Sequence, residues 1–208
     1  MAMKVNDLIG RKIKFENKWY ILEELIPCPP LPLRNSYPIR KVMLTDGLFI
    51  SGELLVVFGM IDGDIVAVQL IDTHGNKKFL RGSKPNGCGF RYGDPDSATY
   101  YIAEGIATAS TLFQEFGDCV YAAFTCTNLK HLATRLREKY PKKDLIICGD
   151  DDYTTEGNPG RKHAIRAAKA SNSAYTFPDF TGLNRGPKDT DFNDLMRLIK
   201  GSKDEQSH

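Results

Sequence analysis

Three carboxylates in this chain of 208 residues stand where chemistry could be done: Glu104, Asp150 and Asp152. Each follows an apolar run. Tyr100-Tyr101-Ile102-Ala103 leads into Glu104-Gly105, and Leu145-Ile146-Ile147-Cys148 leads into Gly149-Asp150-Asp151-Asp152. In extended chain, residues i and i+2 point to the same side, so Asp150 and Asp152 can approach one cation while Asp151 faces away. Carboxylate oxygens with no Cys/His cluster beside them favour a hard ion, magnesium or manganese, over zinc. The separation of Glu104 from Asp150 leaves room for a strand-helix-strand-helix excursion that returns the chain to the same sheet edge, so the three can share a site.

The elements needed to position them read as alternating apolar strands and amphipathic helices. Strands are expected over 100–103, 119–124, 144–148 and 174–177. Helices are expected over 105–116, 127–139, 160–171 and 191–200, the second capped by Thr127 or Asn128. Four such units imply an α/β fold, a parallel sheet sandwiched by helices with its site at the carboxyl edge. The polar stretch 153–159 predicts an exposed connection. The helix after it opens on Gly160-Arg161-Lys162, where N-terminal N–H groups and two cations could hold a phosphate, although these residues alone read equally as solvated charges. Asp191 and Asp194 sit where a helix cap and first turn belong. His131 and His163 have no ligand-spaced partner and read as structural or surface residues, and Tyr100, Tyr101, Phe113 and Phe116 read as core.

Ahead of this region the character changes twice. Residues 1–50 include an alternating segment, 11–24, expected to form a hairpin turning at Glu16-Asn17-Lys18 with Trp19, Ile21 and Leu25 on its apolar face. Five prolines from Pro27 to Pro38 then exclude a central strand or helix and suggest an extended linker. Residues 51–93 read as three antiparallel strands over 53–61, 65–71 and 77–81, joined by Asp62-Gly63 and by a turn over 72–76. The glycine-rich loop from Gly82 to Phe90 could offer phosphates its backbone N–H groups beside Arg81 and Lys84. The charged tail 201–208 is expected to be disordered.

Four motifs in order, Glu104-Gly105-Ile106-Ala107-Thr108-Ala109, Asp150-Asp151-Asp152, Gly157-Asn158-Pro159-Gly160-Arg161-Lys162-His163-Ala164 and Asp191-Phe192-Asn193-Asp194-Leu195, resemble the Toprim domain of primases and topoisomerases. Within that family the sequence is most similar to the phage- and plasmid-type DNA primases. The resemblance implies a Toprim-like domain over 94–200 preceded by a small, basic, mainly antiparallel β subdomain over 51–93. It implies Glu104, Asp150 and Asp152 as catalytic residues and, with Asp191, as ligands of Mg2+ or Mn2+. It further implies Arg161, Lys162 and, in the basic subdomain, Lys77, Lys78, Arg81 and Lys84 as contacts to nucleotide or nucleic acid. The reaction implied is metal-dependent synthesis of short primers from nucleoside triphosphates on a single-stranded DNA template. A Toprim-type nuclease, or a module that only binds nucleic acid, would use the same residues and stays an alternative. Only Cys28 stands where related primases carry a zinc-binding module, so a zinc-binding or helicase partner is expected.

Composition narrows the rest. With 28 Lys+Arg against 26 Asp+Glu the net charge is +2, which excludes a bulk basic signature and makes any nucleic-acid binding local. Five cysteines without a C-x-x-C pair read as free thiols in a reducing compartment. No signal peptide or membrane-length apolar run is evident, so a cytoplasmic protein without a membrane partner is expected.

Overall fold

The computed structural model describes residues 2–15, 18–28 and 35–205, with side chains to Gly201. The chain divides into two compact units, Met1–Phe90 and Arg91–His208.

In the first unit, β1 (Lys12–Phe15) and β2 (Lys18–Ile21) form the expected antiparallel hairpin, with Ile13 opposite Tyr20 and Phe15 opposite Lys18. Glu16 and Asn17, at its expected turn, lie outside the described residues, as do Pro29, Pro30 and Pro32 of the expected linker. The apolar face is the other one from that expected. Ile13, Phe15 and Leu22 are buried and Leu25 packs against their core as expected, whereas Trp19 and Ile21 are exposed. Both phases of the hairpin alternate, and the core took the phase that continues into Leu22 and meets Leu54, Val56, Phe58, Val68 and Leu70.

These partners belong to a sheet of β3 (Ile26–Pro27), β4 (Phe49–Ser51), β5 (Leu54–Ile61), β6 (Asp64–Ile71) and β7 (Lys77–Phe79), hydrogen-bonded in that order. A four-residue helix, α1 (Tyr37–Arg40), lies between β3 and β4. The sheet is antiparallel throughout, with five strands where three were expected, because β3 and β4 are too short to show a period. Asp62 and Gly63 both take positive φ, 50° and 93°, the geometry of a type I′ turn.

After β8 (Phe90–Tyr92), whose first residue ends the first unit, the second unit continues as β9 (Thr99–Ala103), α2 (Ile106–Phe116), β10 (Cys119–Ala122), α3 (Cys126–Lys139), β11 (Asp144–Cys148), α4 (Pro159–Ser171), β12 (Ala174–Thr176) and α5 (Phe192–Glu205). Strand order is β12-β11-β9-β10-β8, and β9 to β12 pair parallel. Alternate residues face opposite layers: Tyr100 packs edge-on against Tyr140 beyond α3, while Tyr101 stacks on Phe116 of α2. Helices α3 and α4 pack together, as do α2 and α5, giving the sandwiched sheet the apolar runs imply. Thr125, two residues before the expected cap, accepts from the Asn128 N–H at the start of α3. Helix α5 runs to Glu205, past its expected end at Lys200, and 206–208 lie outside the described residues. Cys88, Cys119 and Cys148 are buried and free.

Gly149, just beyond β11, extends the ladder by donating its N–H to Thr176 O at 3.0 Å. A Cβ there would collide with Ala164 of α4 and come 2.7 Å from the Phe177 ring. Gly149→Ala is therefore expected to cost about 1–3 kcal/mol, a drop in melting temperature of roughly 2–10 °C for a chain of this size. Gly201→Ala, with open space around the new methyl, serves as the control and should leave the melting curve unchanged or slightly raised.

Candidate functional site

Ala103 pairs with Cys148 across the parallel β9–β11 ladder, so Glu104 and Asp150 emerge from neighbouring strands at the same carboxyl edge. Asp150 is half-buried, with its Oδ1 sealed from solvent. Asp152 turns toward the start of α4, where its Oδ2 accepts the Gly160 N–H at 2.8 Å and its own N–H donates to Asn158 Oδ1 at 3.0 Å. That places a negative charge at the positive end of the helix dipole. Gly160 is packed so closely that a Cβ would stand 2.5 Å from the Asp150 carbonyl oxygen and 2.9 Å from Asp152 Oδ2. Cys126, the first residue of α3, has its thiol pKa raised by burial first, then by the charge of Glu104, and more weakly by that of Asp152. These two carboxylates thus act on one half-buried spot.

Sequence reasoning brings Glu104, Asp150 and Asp152 to one edge, and there the geometry stops short. Among the described residues, no three His, Cys, Asp or Glu side chains are gathered closely enough to hold one ion. One physical reason is the hold of α4 on Asp152, whose carboxylate accepts the Gly160 N–H. In kind, the donors fit a hard divalent cation.

Asp151, expected only to face away from its two neighbours, has partners of its own. Its side chain is 9% exposed and forms the centre of a charged network. Oδ1 accepts from Arg161 Nε at 2.5 Å and from Asn158 Nδ2 at 2.7 Å, and Oδ2 accepts from Arg185 Nη1 at 2.9 Å. Arg185 also donates from Nη2 to the Asp151 carbonyl at 2.7 Å and from Nε to Asp189 O at 2.8 Å. Its guanidinium lies between the rings of Tyr153 and Phe180, 3.7 and 4.1 Å from their centroids. Sequence reasoning missed Arg185. The one available signal was an acidic residue between two proposed ligands that needed a cation of its own.

The segment from Arg185 to Asp194 acts as a strap. At one end Thr190 O accepts the Asp151 N–H at 2.7 Å. At the other, Asp191 accepts from Thr108 Oγ1 at 3.0 Å and from the Asp194 N–H at 2.8 Å, while Asn193 Nδ2 donates to Thr111 Oγ1 at 2.8 Å. Asp191 thus caps α5 and binds it to α2, the helix that follows Glu104. Asp194, buried, takes Arg197 Nη1 at 2.9 Å.

The expected phosphate contacts divide. At the start of α4 the N–H groups of Gly160 and Arg161 are taken by Asp152 and Asn158. Arg161, with a side chain 45% exposed, is shared between Asp151 and the Phe177 ring, and Lys162 is exposed. In the first unit Lys77, Lys78, Arg81 and Lys84 are all exposed. Lys77 lies over Tyr37, and Lys78 donates to Lys14 O at 2.7 Å. The loop after Arg81 spends the N–H groups of Ser83, Lys84, Cys88 and Gly89 on Leu80, Val66, Pro85 and Met60. Those four N–H groups are therefore not offered to a phosphate.

Burial acts to raise the Asp151 pKa, but the bonds from Arg161, Asn158 and Arg185 outweigh it and hold the carboxyl at about 2, below its ordinary 3.8. Because the folded value is depressed, the stabilisation is complete above about pH 4 and is lost as pH falls toward 2. A shift of this size corresponds to about 2–3 kcal/mol. Asp151→Asn should lose about that much at pH 7 in urea melts and should lack this part of the acid dependence.

A profile described as Toprim domain matches residues 99–201. Two Escherichia coli proteins named DNA primase TraC are 39% and 36% identical over 137 residues, 62% of this chain in each case. The chain spans only 13% and 10% of their lengths. Among solved structures, the primase fragment of the bacteriophage T7 primase-helicase protein aligns with a TM-score of 0.51 at 16% identity, covering 74% of this chain and 67% of that one. A chain from the complex of the T7 lagging-strand DNA polymerase with primase domains of two gp4 subunits, bound to an RNA/DNA hybrid and dTTP, aligns with a TM-score of 0.50 at 18% identity, covering 77% and 80%. At those identities the structural likeness is one of fold. The sequence match and the acidic ends of β9 and β11 agree: residues 99–201 form a Toprim domain, and the chain is similar to plasmid-type DNA primases.

Proposed function

We propose that the chain is the catalytic core of a DNA primase, a metal-dependent nucleotidyltransferase that joins nucleoside triphosphates into short primers on single-stranded DNA in phage- or plasmid-type replication. The observation that carries this reading is the pair of acidic ends on adjacent parallel strands, Glu104 after β9 and Asp150 with Asp152 after β11, inside a Toprim domain whose relatives are named primases. In such a reaction a 3′-hydroxyl oxygen bonds to the α-phosphorus, the bond to pyrophosphate breaks, and the hydroxyl proton passes to a base. Glu104 is proposed as that base or as a metal ligand, and Asp150 and Asp152 as ligands. Magnesium or manganese, when bound, would offset the charge of the triphosphate and of the departing pyrophosphate. Asp191, which already accepts from Thr108 and Asp194, is assigned to holding the scaffold. Lys162 and the remaining N–H groups of Arg161 are proposed to take triphosphate oxygens, and Lys77, Lys78, Arg81 and Lys84 to follow the phosphates of the strand. A helicase or zinc-binding partner is proposed to act with the chain, in the cytoplasm.

Activity should require magnesium or manganese and vanish with chelator. Asp150→Asn should lower it at least 100-fold while the metal-free melting temperature holds or rises, since one of three like charges leaves the same sheet edge. Asp152→Asn should be as inactive and should also lose up to about 1 kcal/mol, because its carboxylate caps α4. Full activity in either variant would refute the metal site.

The reaction itself is read by incubating the full chain with single-stranded DNA and labelled ribo- and deoxynucleoside triphosphates. Primer synthesis puts label into new short oligomers. Shortening of the input strand, lost in Glu104→Gln, would make the protein a nuclease with the same site. Label that appears only after a helicase or zinc-binding partner is added would make the chain one part of a divided primase.

A further inference from the structure

The outer face of the β1–β2 hairpin carries an arrangement that its packing does not require. With Ile13, Phe15 and Leu22 turned into the core, Lys12, Lys14, Trp19 and Ile21 are left exposed. Trp19 is the only tryptophan in the sequence and is 63% exposed. Lys14 pairs with it directly across the ladder and sets its ammonium 5.9 Å from the indole centroid. Lys78 adds charge from β7 by donating to Lys14 O at 2.7 Å. Lys12 shares that face at about 7 Å along the strand from Lys14, and it also lines an open recess of about 420 Å³ with Arg11, Leu80, Arg81 and Gly82. Arg11 is fixed at the rim, donating from Nε to Asp7 O at 2.8 Å and from Nη1 to Arg81 O at 3.2 Å. A carboxylate nearby, Glu53, is already paired with Lys18 at 2.6 Å. An indole face flanked by lysines is thus continuous, through Lys12, with a recess rimmed by three cations.

A large aromatic ring left in water gains nothing for the fold, and the cations around it repel one another. The ligand that answers every part of this surface has flat π faces joined by regularly spaced anions. We propose that the face binds single-stranded nucleic acid, with a base stacked on Trp19, phosphates paired with Lys12, Lys14 and Lys78, and the strand entering the recess beside Arg11 and Arg81. An acidic protein segment would satisfy the cations but would bring no repeated ring to the indole. The choice of a nucleic-acid strand rests on the primase reading, yet binding needs neither metal nor triphosphate, so the two can fail separately.

The test titrates the full chain, in chelator, with oligo-dT and with an abasic strand of equal length, following the fluorescence of the sole tryptophan. Oligo-dT should quench Trp19 saturably and bind about tenfold tighter than the abasic strand, the size of one base stack. By anisotropy of a labelled strand, Trp19→Ala should weaken binding about tenfold and Trp19→Phe should restore most of it. Lys12→Gln with Lys14→Gln should lower the log–log salt slope by about 1.4, two released counterions at ~0.7 each. All these side chains are exposed, so the variants should melt as the parent does. Binding without quenching, or an unchanged slope in the double variant, overturns the proposal, as does quenching by an acidic peptide but not by oligo-dT. Quenching that persists while primer synthesis is absent upholds this surface and counts only against the polymerase reading.

Discussion

A carboxylate withdrawn from water has to be met by cations and donors held in place, and Asp151 imposes that requirement on everything around it. Arg185 meets it from a segment otherwise without regular structure, and it can do so only because Tyr153 and Phe180 sandwich its guanidinium. Once Asp151 is fixed, the residues on either side lose their freedom as well. Asp150 and Asp152 take their directions from a backbone clamped at the Asp151 N–H, carbonyl and carboxylate together. The residue that touches no proposed substrate therefore decides where its neighbours point.

Close approach of backbone supplies the second constraint. Gly149 lets β11 pass beneath α4, and Gly160 lets the start of α4 come onto the Asp150 carbonyl. With both in place, Asn158 can serve at once as cap to Arg161, acceptor for Asp152 and donor to Asp151, an arrangement that uses its left-handed φ of 41°. A side chain at either glycine would open the gap that these short bonds span.

Much of this was legible in the sequence, and the parts that were not share a cause. Buried parallel strands read as unbroken apolar runs, so β9 and β11 and the carboxylates after them were placed to within a residue. The Asp62-Gly63 turn was legible because its φ values leave few alternatives. What local pattern does not encode is pairing through space. Asp151 and Arg185 lie far apart in the chain, and neither has a spacing that announces the other. The hairpin failed for a related reason: Ile13 and Phe15 alternate as regularly as Trp19 and Ile21, and only the second sheet decides which pair is covered. The capping role of Asp191 is legible beside its expected role as a metal ligand, but its bond from Thr108 depends on a helix more than eighty residues earlier.

The strap comes after α2, β11 and α4 and ties α5 to α2 and to the segment after β11, and this orders events on the ribosome. As the chain emerges, β9, α2, β10, α3, β11 and α4 are all made before Arg185 is available, and domains that fold during synthesis do so from the amino end. Until then Asp151 has Arg161 and Asn158 alone, and α2 lacks its bonds to Asp191 and Asn193. The sheet can form early, but its acidic edge acquires a fixed shape only when the segment from Arg185 to Asp194 arrives. A translational pause before that point would hold a nascent protein with strands paired and an edge still unset.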